Sequence, residues 1–235
     1  MAPVEERKYD LALFGATGFT GGLTAHYLAA NAPAGLRWAL VGRNRAKLEA
    51  LAAELAAAEP TAPAPDLIEA DAADSSALAG VAAATRVVIT TVGPYALYGG
   101  PLVAACAAAG TDYVDLTGEP EFVDRMWVEN HAEAERTGAR IVHCCGFDSI
   151  PHDLGAYFTV KQLPEGVALT VNGYVRSNAS FSGGTFASAI NGFARAPKMI
   201  AAGRERRRAE PRAQGRGVHS ASPGIRHDDE LGGWV

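Results

Sequence analysis

The sequence predicts an α/β fold built on a doubly wound parallel sheet, followed by the beginning of a smaller α+β domain. Three observations predict it. Short apolar runs alternate with segments of helical spacing over residues 9–150, a glycine-rich turn follows the first run, and the alternation stops after residue 150. Parallel strands need crossover helices between them, so this alternation predicts a sheet covered by helices on both faces.

The first 150 residues are therefore predicted to form one domain of alternating strands and helices. After the opening run over 11–14, strands are expected at 36–41, 66–70, 86–92, 112–116 and 140–144. Helices are expected from the glycine turn to residue 31 and at 45–59, 75–84, 101–109 and 120–137. Asp74 or Ser75 is expected to cap the third helix, because short polar side chains accept from free helix N–H groups.

The remaining residues predict a second domain that starts and does not finish. Helices are expected at 151–163, 182–193 and 196–208, with one strand at 167–177. One strand forms no stable sheet by itself, so the α+β unit over 151–208 is incomplete as a domain. Residues 209–235 are rich in Arg, Gly, Pro, Ser and Asp, and this composition predicts a poorly ordered tail.

Composition and charge narrow the classes of function. The 235 residues are 48% hydrophobic, which suffices for a substantial core, and the net charge of −5 gives no general attraction to nucleic acid. No apolar run is long enough to predict a membrane span. The cysteines, Cys106, Cys144 and Cys145, have neither disulfide-framework nor metal-site spacing, so we predict no metal and a reducing, cytoplasmic location.

The glycine turn is the strongest functional signal in the chain. Gly15, Gly18 and Gly21 follow an apolar strand and open a helix. Such a turn directs backbone N–H groups and the helix dipole onto a pyrophosphate, which is typical of Rossmann-type dinucleotide domains. Thr17, Phe19 and Thr20 lie between these glycines. The alternative is a glycine-rich strand-to-helix turn that binds nothing.

The end of the second strand predicts the cofactor type. A site for NAD has an acidic residue there to hold the ribose 2′-hydroxyl, whereas this chain has Arg43 and Asn44. Arginine offers a permanently charged fork to a 2′-phosphate, which a carboxylate would repel. We therefore expect NADP(H); a solvated arginine at a surface turn is the alternative.

Other candidates follow the remaining strands, because ligands of open parallel sheets bind at the carboxyl ends of the strands. Asp71 follows the third strand, and Gly93, Pro94 and Tyr95 follow the fourth, where they are expected beside the nicotinamide. Tyr95 is expected to wall the pocket or to supply a proton. Glu119, after the fifth strand, is as well suited to stabilising the next helix as to chemistry.

A polar cluster follows the sixth strand. Asp148, Ser149 and His152 either cap the helix that begins there or face the nicotinamide, with His152 or Tyr95 as general acid. Tyr157 and Lys161 have the Y-x-x-x-K spacing of short-chain dehydrogenases. The serine that such enzymes carry upstream is absent, since Cys144 and Cys145 occupy that place.

Six segments in order give the chain a family resemblance. They are GATGFTG at 15–21, GRN at 42–44, TVGPY at 91–95, YVDLTGE at 113–119, GFDSIPHDLG at 146–155 and GGTFASAINGF at 183–193. With these segments the chain resembles the saccharopine dehydrogenase-like oxidoreductases and, within them, the trans-acting enoyl reductases of lipid biosynthesis. Family members are considerably longer, with the sheet of the second domain completed beyond residue 235.

The resemblance implies an NADPH-dependent reduction of a carbon–carbon double bond in a polyketide-derived or fatty-acyl chain carried by a separate synthase. It implies that residues 15 and 17–21 hold the dinucleotide, Arg43 the 2′-phosphate and residues 93–95 the nicotinamide side. A homodimer is among the expected states. Two alternatives stay open: a non-catalytic NADP(H)-binding sensor or partner subunit, and a saccharopine-type amino-acid dehydrogenase.

Overall fold

The computed structural model describes residues 6–175, 195–210, 227–229 and 232–234. Its centre is a six-stranded parallel sheet in the order β3-β2-β1-β4-β5-β6. The strands are β1 (Tyr9–Phe14), β2 (Trp38–Gly42), β3 (Asp66–Glu69), β4 (Thr85–Thr90), β5 (Asp112–Asp115) and β6 (Ile141–Val142). The order reverses at β1, which is the topology of a doubly wound nucleotide-binding sheet.

Helices connect successive strands and lie on both faces of the sheet. They are α1 (Phe19–Asn31), α2 (Arg45–Ala58), α3 (Ser75–Ala84), α4 (Tyr95–Tyr98), α5 (Gly100–Ala109) and α6 (Pro120–Thr137). The Asp74 side chain accepts from two backbone N–H groups at the start of α3, and left-handed glycines, Gly110 and Gly138, end α5 and α6. All three caps are those that the sequence indicates.

Alternation along the strands divides the core into two layers. Leu13 and Leu40 pack with the buried leucines of α2 on one face. Phe14 and Val88 pack with residues of α3, α5 and α6, including Leu102, on the other. Successive strand residues point to opposite faces, so a strand covered on both sides is apolar throughout. The predicted α/β, Rossmann-type sheet is thus confirmed.

The predicted boundaries of all six strands agree with the structure to within two residues, and β6 is the shortest of them. The chain leaves the extended conformation just after β6, because Cys144 has a φ of +61° and its N–H donates to the Asp115 carboxylate. Helix α4 was not predicted. It is a single turn that begins immediately after Pro94.

The region after residue 150 differs from its prediction. Helix α7 (Ile150–Lys161) forms as expected, with none of its residues buried. The strand predicted over 167–177 is wrong for residues 167–175, which form neither helix nor strand. A strand needs a neighbouring strand for its ladder of hydrogen bonds, and within the described ranges no segment pairs with these residues. Residues 176–177 and the helix predicted at 182–193 lie outside the described residues.

Helix α8 (Ala196–Ala209) confirms the helix predicted at 196–208 and packs against α6. At its start the Arg195 guanidinium donates to both Glu121 carboxylate oxygens, at 2.7 and 2.5 Å. In the tail, β7 (His227–Asp228) and β8 (Gly233–Trp234) pair antiparallel, a small element that the composition did not predict. Over the residues that the structure describes, no helix is both long and apolar enough to cross a membrane.

Candidate functional site

The glycine turn lies at the carboxyl edge of the sheet, between β1 and α1. Gly15 has a φ of +86°, and a Cβ on it would come within 2.6 Å of Val92 Cγ2. Thr91, beside that valine, places its hydroxyl 3.2 Å from the Gly15 carbonyl oxygen. The turn is therefore packed tightly onto the end of β4, in a left-handed conformation that glycine adopts without strain.

The start of α1 is open for a ligand. Gly18 is the N-cap residue and has no side chain to accept from the first turn. Gly21 lies so close to the turn that a Cβ on it would be 2.1 Å from the Gly15 carbonyl oxygen. Thr17 and Phe19 are exposed and Thr20 is partly exposed. An uncapped helix N-terminus next to a glycine turn is an anion-binding geometry.

Arg43 lies at the end of β2, exposed and without an ion pair or hydrogen bond to any residue that the structure describes. The side chains of the next two residues, in contrast, already have partners within the protein. Asn44 caps α2 by accepting from the Lys47 N–H at 3.0 Å, and Arg45 binds Glu49 and the Leu67 carbonyl oxygen. The cation that the sequence assigns to a 2′-phosphate is thus available at this strand end.

Asp71 and the turn after β4 occupy the next positions along this edge. Asp71 is exposed, and its carboxylate accepts from the Ala73 N–H at 2.9 Å. The peptide bond between Gly93 and Pro94 is cis, and Pro94 leads directly into α4. The ring of Tyr95 lies beside Gly93. A Cβ on Gly93 would be 3.5 Å from that ring.

Tyr95 is a core residue. Its side chain is 5% exposed, and its hydroxyl donates to the Thr90 carbonyl oxygen at 3.1 Å. Burial raises the pKa of this phenol well above its usual value, with the nearby Asp115 adding to the effect. This placement supports the expectation of a wall under the turn and gives no support to Tyr95 as proton donor.

Glu119 stabilises a different helix from the one expected. Its carboxylate accepts from the backbone N–H groups of Tyr95 and Ala96, both at 2.9 Å, and these open α4. It makes no side-chain cap on α6, although it is the N-cap residue there. The carboxylate is thus bound to a helix start that sequence reasoning did not predict, rather than hydrogen-bonded to the helix next in sequence.

Sequence reasoning also missed a buried hydrogen-bonded group around Asp115, at the end of β5. Its carboxylate accepts from the Tyr113 hydroxyl at 2.9 Å and the Thr117 N–H at 3.1 Å, and it lies 2.7 Å from His143 Nδ1. It also accepts from the Cys144 N–H. The sequence did contain a signal for this group. A carboxylate in a buried strand position needs polar partners, and the adjacent strand is followed by a histidine that can serve as one.

The cluster after β6 lies on the surface. Asp148 and His152 are exposed, Ser149 is partly exposed, and the His152 ring meets Phe147 edge-on at 6.3 Å. Capping by Ser149 or Asp148 was wrong, since no side chain caps α7; backbone bonds from residues 149 and 150 to the Gly146 carbonyl close this turn instead. The Asp148 carboxylate lies beside the loop after β5. A Cβ on Gly118 in that loop would be 3.6 Å from Asp148 Oδ2.

The short-chain dehydrogenase spacing gains no support from geometry. Tyr157 is 62% exposed on α7, and Lys161 Nζ lies 5.8 Å from its ring centroid. Burial is the main cause that raises the pKa of the Cys144 and Cys145 thiols, so neither is activated as a thiolate. A cavity of about 480 Å³ between α6, β6 and α8 includes His143 and Arg206 but none of the predicted cofactor-binding residues.

Comparison with known families decides how the edge is to be understood. The sequence profile of the saccharopine dehydrogenase NADP binding domain matches residues 11–142, which is more than half of the chain. The chain belongs to this family. NADP(H) is therefore the dinucleotide of this domain.

Curated relatives of this saccharopine dehydrogenase-type domain occur in mycobacteria. A Mycobacterium tuberculosis H37Rv protein, described as a proposed trans-acting enoyl reductase, is 50% identical over 188 residues, covering 78% of this chain and 44% of that protein. A Mycobacterium leprae trans-acting enoyl reductase is 47% identical over 165 residues, covering 70% and 38%. The chain thus spans less than half the length of these relatives.

Among solved structures, apo saccharopine dehydrogenase (L-Glu forming) from Saccharomyces cerevisiae superposes with a TM-score of 0.53. The two are 25% identical, and the match covers 66% of this chain and 31% of the yeast protein.

The residues present fit NADP(H) as a bound group. Gly15 and Gly21 let the turn pack closely against the end of β4 and the start of α1, the α1 N-terminus is uncapped, and Arg43 is unpaired within the described part of the chain. These features suit the pyrophosphate and the 2′-phosphate respectively. When bound, the cofactor supplies a hydride.

Proposed function

We propose that this chain is the NADPH-binding part of an enoyl reductase that reduces a carbon–carbon double bond in a fatty-acyl or polyketide-derived thioester. The observation that carries the proposal is the 47–50% identity to mycobacterial proteins of that description, over two thirds or more of the chain. The unpaired Arg43 adds the preference for the phosphorylated cofactor. A cytoplasmic location, a separate polyketide synthase as partner and a homodimer belong to the same proposal.

The positions of the chain's own residues support the following proposed roles. Residues 15 and 17–21 would bind the pyrophosphate, Arg43 the 2′-phosphate, and Asn44 and Asp71 would line the adenosine end. Gly93 and Pro94 would orient the nicotinamide side, with Tyr95 beneath them. Asp148, Ser149 and His152 are the proposed catalytic group, because they are the accessible polar residues after β6 whereas the Tyr95 hydroxyl is bound to backbone.

A non-catalytic NADP(H)-binding role is the second candidate. It is favoured by one observation: Tyr95, Asp115 and Glu119 all direct their polar atoms to protein partners near the expected nicotinamide position. A chain that only senses or presents the cofactor would need no proton donor there.

Binding and turnover experiments separate the two candidates. Nicotinamide fluorescence is followed while NADPH or NADH is titrated, and enoyl thioesters such as crotonyl-pantetheine are then added while absorbance reports NADPH oxidation. The proposal expects preferential NADPH binding followed by oxidation. NADPH binding without oxidation by any enoyl thioester would favour the sensor, and failure to bind either nucleotide would contradict both.

A further inference from the structure

Helix α8 concentrates positive charge in a chain whose overall charge is negative. The whole sequence has a net charge of −5, yet residues 204–208 contain four arginines and one glutamate. Sequence alone suggests a solvated helix end. The structure divides these arginines into one that is used within the protein and three that are not.

Arg206 is the arginine used within the protein. Its guanidinium lies 3.1 Å from an Asp124 oxygen and 3.0 Å from a Glu210 oxygen, and it stands over the Trp127 ring at 5.4 Å. These contacts fix α8 against α6. They also leave the opposite face of α8 directed away from the rest of the described chain.

The other three arginines form what we call the α8 basic face: Arg204, Arg207 and Arg208. All three are exposed, and none makes an ion pair or a side-chain hydrogen bond with any described residue. On the same helix Ile200 is 50% exposed. Three uncompensated cations beside an exposed apolar side chain are a surface suited to an acidic partner, since complementary charge steers encounter and apolar contact adds affinity.

The position of α8 links this face to the cofactor edge. The Arg195–Glu121 ion pair fixes the start of α8 to the first turn of α6. Helix α6 follows β5, so its first turn lies at the carboxyl edge of the sheet. At 1.5 Å per residue, the basic face is about 14–20 Å along α8 from that point.

We propose that the α8 basic face docks the negatively charged surface of the carrier domain that presents the acyl thioester. The inference rests on the proposed function, because an enoyl reductase separate from its synthase must receive a substrate bound to another protein. A docking surface close to the cofactor edge, and not on it, leaves the site free for the acyl group. Charge-based docking also suits an encounter that must be repeated at every turnover.

The observations favour a protein partner over nucleic acid or a membrane. The basic face has three cations interrupted by Glu205, and α8 contains no aromatic residue on which a base could stack. Stable membrane anchoring needs a lipid chain or a large inserted apolar face together with basic residues, and this helix offers two exposed apolar side chains, Met199 and Ile200.

Binding is the direct test. A dye-labelled, phosphopantetheine-bearing acyl carrier domain of a polyketide synthase is titrated with the full chain at low salt while anisotropy is recorded. The triple variant R204E/R207E/R208E should weaken binding by about tenfold or more, whereas R204K/R207K/R208K should stay within about twofold. Lys161→Glu on α7 controls for a charge change elsewhere and should have no effect. If the charge-reversed helix does not fold, R204Q/R207Q/R208Q replaces it, with a smaller but clear loss expected.

The remaining outcomes overturn the inference. A duplex DNA or a phosphatidylserine vesicle that binds more tightly than the carrier, and loses binding in the same variant, would make α8 a general polyanion surface. Equal carrier binding by wild type and the charge-reversed chain, or no binding at all, would contradict docking here. NADPH titration and turnover of free crotonyl-pantetheine test the proposed function separately, and both should be unchanged in the variants.

Discussion

The two halves of the carboxyl edge use their polar groups in opposite ways. Around β1 and β2, the glycine turn is uncapped and Arg43 contacts no described partner. Around β5 and β6, Asp115 and Glu119 are buried and accept several hydrogen bonds from the protein itself. The polar groups around β1 and β2 stay available for a ligand, whereas the Asp115 and Glu119 carboxylates are used to fix loops of the protein. Polar residues at strand ends therefore indicate a site only when the fold leaves them unsatisfied.

A substitution that crowds the glycine turn should have the largest effect on stability and on NADPH binding. In Gly21→Ala the new Cβ would lie 2.1 Å from the Gly15 carbonyl oxygen and 2.9 Å from Ala16 Cα, and backbone atoms cannot move aside. We expect a loss of about 3 kcal/mol or more in the free energy of unfolding, and loss of NADPH binding. Urea denaturation and nicotinamide fluorescence measure the two.

Gly22→Ala is the matched control, because the nearest atom to its Cβ would be 4.0 Å away. It should leave NADPH binding intact and raise stability by about 0.5–1 kcal/mol, since alanine is the better helix former. If the two alanine variants behaved alike, the close approach of α1 to the turn would not be what requires Gly21.

Removing Asp115 should damage the fold and leave cofactor affinity alone. Asp115→Ala leaves the Thr117 and Cys144 N–H groups without their acceptor, which we expect to lower the free energy of unfolding by about 3 kcal/mol. Asp148→Ala, an exposed carboxylate at the same edge, should change it by less than about 0.5 kcal/mol. A stable Asp115→Ala protein with NADPH affinity reduced tenfold would move Asp115 into the ligand-binding half.

At the other end of β1, the ion pair between Arg37 and Asp10 should make a smaller contribution to stability, and one that depends on pH. Arg37 donates to the Asp10 carboxylate and holds the pKa of that group at about 2, below the ordinary 3.8. Because the folded-state pKa is depressed, the stabilisation is complete above about pH 4 and is lost as pH falls towards 2. We expect the ion pair to contribute about 1–2 kcal/mol to the free energy of unfolding, a value that solvent screening reduces. The stability difference between wild type and Asp10→Asn should therefore disappear near pH 2; a constant difference would contradict the ion pair's contribution.

Tyr95→Phe should have the smallest effect. It removes one hydrogen bond to the Thr90 carbonyl oxygen, worth about 1 kcal/mol, and keeps the ring against Phe122. NADPH oxidation by an enoyl thioester should remain within about twofold of wild type. A loss of a hundredfold in turnover with unchanged NADPH affinity would instead identify Tyr95 as the proton donor.

The predictable part of the molecule is the part governed by local pattern. Strand-to-helix alternation, the glycine turn and the Asp74 cap follow from neighbouring residues, and the structure has them where the sequence predicts. The missed features depend on residues distant in sequence. Glu119 caps α4 rather than α6, and Asp115 meets His143 across two strands, contacts that no local spacing specifies.

The strand predicted over 167–177 failed for a related reason. Alternation of apolar and polar residues describes a strand only when another strand lies beside it, and residues 167–175 have none within the described ranges. The roles of Asp148, Ser149 and His152 remain predictions, because their contacts in the described structure do not assign them one.

The central claim is that Arg43, which has no described protein partner, selects NADPH over NADH. The most direct measurement is the ratio of NADH to NADPH dissociation constants for wild type, Arg43→Asp and Arg45→Gln, where Arg45 is the neighbouring cation already bound to Glu49. We predict that Arg43→Asp shifts the ratio towards NADH by about a hundredfold, through loss of a charge-assisted contact and new repulsion, while Arg45→Gln leaves it unchanged. An unchanged ratio in Arg43→Asp, with both cofactors still bound, would contradict the account.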